Sequence, residues 1–320
     1  MTPSPSDRDH LLLRVCQLHY EQQLTQQEVG DRLHLTRWQV GRLLKEAQAK
    51  GIVRIEIVHP RARSHQLETD LVRLTGLAGA VVVPAEADPT ATRQAVAQAA
   101  AEYLADLPTK PRTLAVSWGQ TMSDLAQAIP PSWADAVTVV QANGGLTRPG
   151  PGDPAAIITA LARQSRGSAV FLPAPAVVES PELAAALVRE PSIAEVIEMA
   201  RTADVLLYSL GAVSHESVLV TSGCLSHADV EHLVAEGAVG DAVGRFIGPD
   251  GGLVCPHVDA RSVGLGLDDL RSARMSIAVA AGRQKHRVAE ACVRQGLCDV
   301  LVTDEDTAVH LTRRFSQQVD

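Results

Sequence analysis

Residues 25–51 read TQQEVGDRLHLTRWQVGRLLKEAQAKG. Thr25 with Glu28 is a capping box: hydroxyl and carboxylate each satisfy a backbone N–H that the first helical turn leaves free. It starts a helix with Val29 and Leu33 on one face. Thr36 with Gln39 is a second box a few residues later. Two capped starts this close require a short helix, a tight turn at His34–Leu35 and another helix, which is the helix-turn-helix arrangement. The second helix is predicted from Arg37 to Lys50, stopping at Gly51, a residue suited to the position just past a helix end.

In that second helix Val40, Leu43, Leu44 and Ala47 follow the i, i+3, i+4, i+7 spacing of a core-facing stripe. Trp38, Arg42 and Lys45 fall on the opposite side, with Arg37 and Gln39 flanking its amino end. Arg and Gln reach base edges from such a position, and Lys neutralises phosphate. Thr25, Gln26, Thr36, Arg37, Trp38, Gln39, Arg42 and Lys45 are therefore the candidate DNA contacts. A merely solvated charged face is the plain alternative; the paired boxes, the glycine stop and the local charge favour DNA. Trp38 either meets a thymine methyl or the sugar-phosphate backbone, or packs beside a neighbouring strand. That strand, expected at Ile52–Val58, fits the wing of a winged helix.

Charge sharpens this division. The 320 residues carry a net charge of −8, which on average argues against nucleic acid. Residues 1–63 nevertheless hold ten Arg and Lys against seven Asp and Glu, a balance of +3, leaving −11 on the remainder. A small basic head on a large acidic body implies two jobs. Aromatic residues are 3%, too few for the stacking platforms that hold single-stranded nucleic acid. The five cysteines lack a C-x-x-C pair and the eleven histidines lack H-E-x-x-H, so neither a disulfide framework nor a metal or other cofactor is expected. No apolar run approaches the ~20 residues of a membrane span, and the polar N-terminus is unlike a signal peptide. A cytoplasmic protein with no membrane partner is expected.

From Ala80 onward, apolar runs alternate with helical patterns. Strands are expected at Ala80–Val83, Thr113–Val116, Val137–Val140, Ala169–Phe171, Val205–Leu210, Met275–Val279 and Val300–Thr303. Helices are expected at Gln66–Leu74, Thr90–Ala105, Thr121–Ile129, Pro154–Arg166, Pro181–Arg189, His286–Gln295 and Glu305–Arg314. Continuous apolar strands without period-2 alternation indicate a parallel sheet covered on both faces, with binding loops at the strands' carboxyl ends. The fold class is α/β, divided into residues 1–60 and 61–320.

Several of those loops suit an anionic ligand. Ser117-Trp118-Gly119-Gln120-Thr121 joins a strand to a helix, offering a close backbone approach, free N–H groups and hydroxyls. It lacks the G-K-[ST] ending of a P-loop. Asn143-Gly144-Gly145, with Arg148 nearby, and Gly211-Ala212 follow other strands. Lys285, one of four lysines, ends the loop Ala281–Lys285; it is either a phosphate ligand or an exposed structural lysine. Asp241, among glycines in GAVGDAVGRF, either binds sugar hydroxyls, acts as a base or caps a turn. Asp304 and Glu305 most simply cap the last helix.

The head LTQQEVGDRLHLTRWQVGRLLKEAQAKGIVRIEI resembles the winged helix-turn-helix of SorC/DeoR-type sugar-responsive bacterial regulators. The motifs SWGQT, NGG, SLGAV, GAVGDAVGRF and AVAAGRQKHRVAEACVRQGLCDVLVTDEDTA follow in that family's order, so the resemblance spans about residues 10–315. It implies a Rossmann-like body of sugar-phosphate isomerase type that serves as an effector sensor. By the same resemblance Ser117, Gly119, Gln120, Thr121 and Lys285 would bind phosphate, and Asn143, Gly144, Gly145, Gly211 and Asp241 would line the sugar site. Where members hold an effector covalently through lysine, the body offers Lys285 and Lys110. Gly30 and Gly41 depart from the Ala and Ser more usual in the family, a change worth roughly 1 kcal/mol of helix propensity each.

The resulting expectation is a non-enzymatic transcriptional regulator, with repression as the expected output. Its partners are operator DNA, a phosphorylated sugar and further copies of itself, as a dimer or tetramer. The competing expectation is a sugar-phosphate isomerase or deaminase with a DNA-binding appendage, using Asp241 as base. Spacing supplies no second acid or base for it.

Overall fold

The computed structural model describes residues 5–22, 24–53, 64–146, 150 and 152–317. The chain divides into two compact units, Met1–Pro60 and Arg61–Asp320.

The first unit is helical. α1 (Pro5–Cys16) runs into a π-helical turn at Gln17–Glu21, followed by α2 (Gln26–Leu33) and α3 (Arg37–Ala49). Both capping boxes form. The Glu28 N–H donates to the Thr25 hydroxyl at 3.3 Å and the Thr25 N–H to the Glu28 carboxylate at 2.8 Å; Thr36 and Gln39 repeat the pattern at 3.3 and 2.8 Å. Leu12, Val15, Leu18, Val29, Val40, Leu43 and Ala47 close a small core, and Arg8 ties α1 to Glu46 of α3 at 2.6 Å.

His34 ends α2 in the left-handed conformation, and the Leu35 N–H returns to the Gly30 carbonyl at 2.8 Å. A Cβ on Gly30 would lie 2.5 Å from the Leu35 oxygen. The glycine that weakens α2 by propensity is thus the residue that lets the turn close. Ile52 and Val53, at the start of the expected wing, pack on this core. The rest of that strand lies outside the described residues.

The second unit begins with α4 (His65–Thr75). It continues β1 (Gly79–Val83), α5 (Pro89–Ala105), β2 (Thr113–Val116), α6 (Gln120–Ala128), β3 (Thr138–Gln141), α7 (Pro154–Gln164) and β4 (Ser168–Val170). Next come α8 (Pro181–Arg189), α9 (Pro191–Arg201), β5 (Val205–Gly211), α10 (Val218–Thr221) and α11 (His227–Ala235). A hairpin of β6 (Gly240–Ala242) and β7 (Arg245–Ile247) leads to α12 (Pro256–Asp259) and α13 (Leu267–Ser272). The unit closes with β8 (Ser276–Ala280), α14 (His286–Arg294), β9 (Val300–Asp304) and α15 (Glu305–Ser316).

The sheet order is β1-β9-β8-β5-β2-β3-β4, and every pairing along it is parallel. The hairpin adds antiparallel to the end of β5. Alternate strand residues enter separate cores: Val82, Ala115, Leu206 and Ala278 pack on one face, and Val81, Leu114, Leu207 and Ile277 on the other. Burial on both faces explains why the strands read as unbroken apolar runs. From β2 the chain continues outward through β3 and β4, whereas β5 lies on the other side of β2 and is followed outward by β8 and β9. The crevice between the carboxyl ends of β2 and β5 is therefore the switch point where open α/β sheets bind ligands.

Candidate functional site

The head carries a groove lined by Gln26, Thr36, Arg37, Trp38, Arg42 and Lys45. Gln39, Gly41, Leu44, Gln48, His19 and Tyr20 complete it, and of these only Gln39 was expected from sequence as a contact; the expected contact Thr25 does not line it. The π-helical turn carries His19 and Tyr20 there; the His19 ring nitrogen sits 2.7 Å from the Leu24 carbonyl. Val40, Leu43, Leu44 and Ala47 are buried as the periodicity requires, which leaves the polar face of α3 outward. Trp38 is 89% exposed, so nothing among the described residues covers it. Gln39 uses its side-chain oxygen in the capping box, leaving its NH2 group for another acceptor.

In the body, the loops after β8, β5, β2 and β3 lie side by side because their strands are neighbours. Ser117 is buried, and its hydroxyl accepts the Ser209 N–H at 3.3 Å. Gly119 caps α6 at φ +132°, a conformation that turns the backbone into the helix and that side chains resist. Gln120 is exposed and Thr121 half-buried at that helix start. The α6 N-terminus thus presents unpaired N–H groups with Ser117 and Thr121 hydroxyls beside them. The Trp118 indole donates to the Gly144 carbonyl at 2.8 Å, locking this loop to Asn143-Gly144-Gly145.

Asn143 is buried, and its side-chain oxygen has no hydrogen-bond partner among the described residues. Folded proteins rarely leave such an acceptor unsatisfied; an ordered water or a ligand donor would satisfy it. Gly244, whose N–H is held by Asp241 at 3.0 Å, stands near the Asn143 amide nitrogen. Asp241 therefore caps the hairpin turn and also faces the site. A Cβ on Gly211 would meet the Asp241 carboxylate at under 2 Å, so the strand end must be glycine for the carboxylate to sit there.

Lys285 is half-buried next to this carboxylate. Burial pushes its ammonium down to about 8, against the opposing charge of Asp241. Burial likewise raises the Asp241 carboxyl, opposed by Lys285 and the Gly244 N–H. An anionic ligand would relieve the first strain by giving the ammonium a partner.

The fold thus brings Ser117, Gly119, Thr121, Asn143, Gly144, Gly211, Asp241 and Lys285 to one edge of the sheet. Arg148 lies outside the described residues. Lys110 does not join them: it precedes β2, at the amino edge of the sheet, and donates to the Ala105 carbonyl. Asp304 caps α15 as expected, and its carboxylate also accepts the Gly282 N–H at 2.7 Å, holding the Lys285 loop. Sequence reasoning missed this brace and Ser209. The signal for Ser209 was a serine in the strand VLLYSLG, apolar apart from it and the Tyr208 phenol.

A sugar-binding-domain family model (Sugar-bind) matches residues 59–313. The transcriptional regulator LsrR of Klebsiella pneumoniae is 31% identical over 309 residues, covering 94% of this chain and 92% of that protein. The deoxyribonucleoside regulator of Bacillus subtilis is 28% identical over 304 residues, covering 94% and 97%. The full-length sorbitol operon regulator SorC of Klebsiella pneumoniae superposes with TM-score 0.70 at 24% identity, over 96% of this chain and 99% of that one, which shows the shared fold. These relatives are named regulators rather than enzymes, and the family model spans nearly the whole body. The chain belongs to the SorC/DeoR-type sugar-binding transcriptional regulators.

Proposed function

We propose that the head binds operator DNA through α3 and that a phosphorylated sugar in the β2–β5 crevice controls that binding. The observation that supports the effector is the buried, unsatisfied Asn143 oxygen at the same carboxyl edge of the sheet as the Asp241–Lys285 pair. Phosphate would sit on the α6 N-terminus with the Lys285 ammonium, and Asn143 and Asp241 would hold sugar hydroxyls. Arg37, Gln39 and Arg42 would read bases while Lys45 meets phosphate. Trp38, being exposed, is available to a thymine methyl or the backbone. Its output would be repression, relieved where the effector favours the state that releases the operator.

A head with a balance of only +3 binds weakly by itself, so dimers or tetramers presenting several heads to paired half-sites are part of this reading. The cytoplasm is its place of action. An electrophoretic shift on the DNA upstream of its own gene tests the scheme. A salt-sensitive, sequence-specific complex that phosphosugars weaken or strengthen is expected. A complex equally stable on unrelated DNA, or indifferent to every phosphosugar, would sink it.

A further inference from the structure

Neither the cysteines nor the histidines show metal-ligand spacing along the chain, yet the fold assembles three of them. His232 lies on α11, Cys255 caps the start of α12 in a left-handed conformation, and His257 is the second residue of α12. One ligand atom from each lies within 4.8 Å of the other two. The imidazole rings stand edge to face with centroids 4.8 Å apart. The Cys255 residue is buried while both histidines are exposed, so the sulfur sits inward and the imidazoles reach solvent. Glu236 adds negative charge beside Cys255.

We infer that His232, Cys255 and His257 form a binding site for a thiophilic divalent cation, with zinc as the ion that fits best. A tetrahedral zinc with ligands at about 2.0–2.3 Å needs donor atoms roughly 3.3–3.6 Å apart, a contraction that side-chain rotation supplies. Thiolate with two imidazoles excludes magnesium and calcium, which demand oxygen. Three protein ligands leave the fourth position to water, on the exposed side. The ion would clamp α11 to the start of α12, near the Arg261–Asp229 pair at 3.5 Å that ties α11 to the residues just after α12. Binding displaces the thiol proton to solvent and changes no oxidation state.

The full chain, reduced and stripped of metal, is titrated with zinc and separately with cobalt as a spectroscopic probe. Expected are one equivalent per chain held against a weak chelator, a thiolate-to-cobalt charge-transfer band, and a zinc-dependent rise in melting temperature. Cys255→Ser should abolish the band, and His257→Gln should weaken zinc binding at least tenfold. Retention of the band in Cys255→Ser overturns the site, as does wild-type protein that holds no stoichiometric zinc. If Cys255→Ser fails to fold, the exposed His257→Gln decides, and unchanged zinc affinity there overturns it.

Discussion

On the proposed reading, the head and the crevice would solve recognition in opposite ways. In the head, the proposed reading face is exposed and lies on one thirteen-residue helix, with its core stripe and its polar face specified by the same short sequence. In the crevice, polar groups come from residues scattered between Ser117 and Lys285, most of which offer backbone or buried atoms. A DNA surface must be open to a partner as broad as itself. A small anion instead needs enclosure, where charge and unsatisfied donors count for more. The difference predicts that substitutions in one unit leave the other's ligand untouched.

The largest separation should come from Lys285→Ala. Losing a charged hydrogen bond to phosphate is expected to weaken effector binding by about 1.5–3 kcal/mol, roughly 10- to 150-fold, with operator affinity of the effector-free protein unchanged. Isothermal titration and a gel shift measure the two; loss of operator binding would break the comparison. Arg42→Ala is the mirror experiment, expected to cost about 1–3 kcal/mol of operator affinity with effector affinity intact. An unchanged operator constant would remove Arg42 from the reading face.

Gly30→Ala probes folding in place of contact. Forcing a Cβ against the Leu35 carbonyl should destabilise the head by about 1–3 kcal/mol, visible as a lowered head transition in calorimetry. A gain in stability, as helix propensity alone predicts, would overturn the account of the turn. pH separates the units again. The Lys285 ammonium is lost as pH rises through about 8, so effector affinity should fall roughly tenfold between pH 7 and pH 9. Without effector the slope reverses: between about 8 and 10.5 the unfolded chain keeps the proton that folded Lys285 has lost, so this group makes stability rise with pH. A flat effector titration would take the charge away from Lys285. The smallest effect belongs to Thr36→Ala, about 1 kcal/mol of helix stability from the lost cap, read by the head's melting.

Much of the architecture was legible because it is local. Paired boxes at Thr25 and Thr36 set the starts of α2 and α3, and the buried apolar runs located all seven strands of the parallel ladder to within two residues. α9 escaped because a single residue, Glu190, separates it from α8 and no polar loop punctuates the pattern. The β6–β7 hairpin escaped because three-residue strands among glycines show no alternation. The loops around Ser117, Asn143 and Lys285 were visible as glycine-containing stretches after strands. That Asp241 belongs with them was implied by family resemblance, and geometry then supplied the partners.

The sequence by itself determined where α2, α3 and the strands of the parallel ladder begin, that a basic head precedes an acidic body, and which face of α3 is polar. Those properties depend on residues within a turn or two of each other. Only the tertiary structure decided that Lys285 meets Asp241, that the Asn143 oxygen is left unsatisfied at the same sheet edge, and that His232 joins Cys255 and His257. These meetings depend on strand order and on how loops cross at the sheet edge. No spacing along the chain encodes that order, because burial of both sheet faces, and not proximity in sequence, selects it.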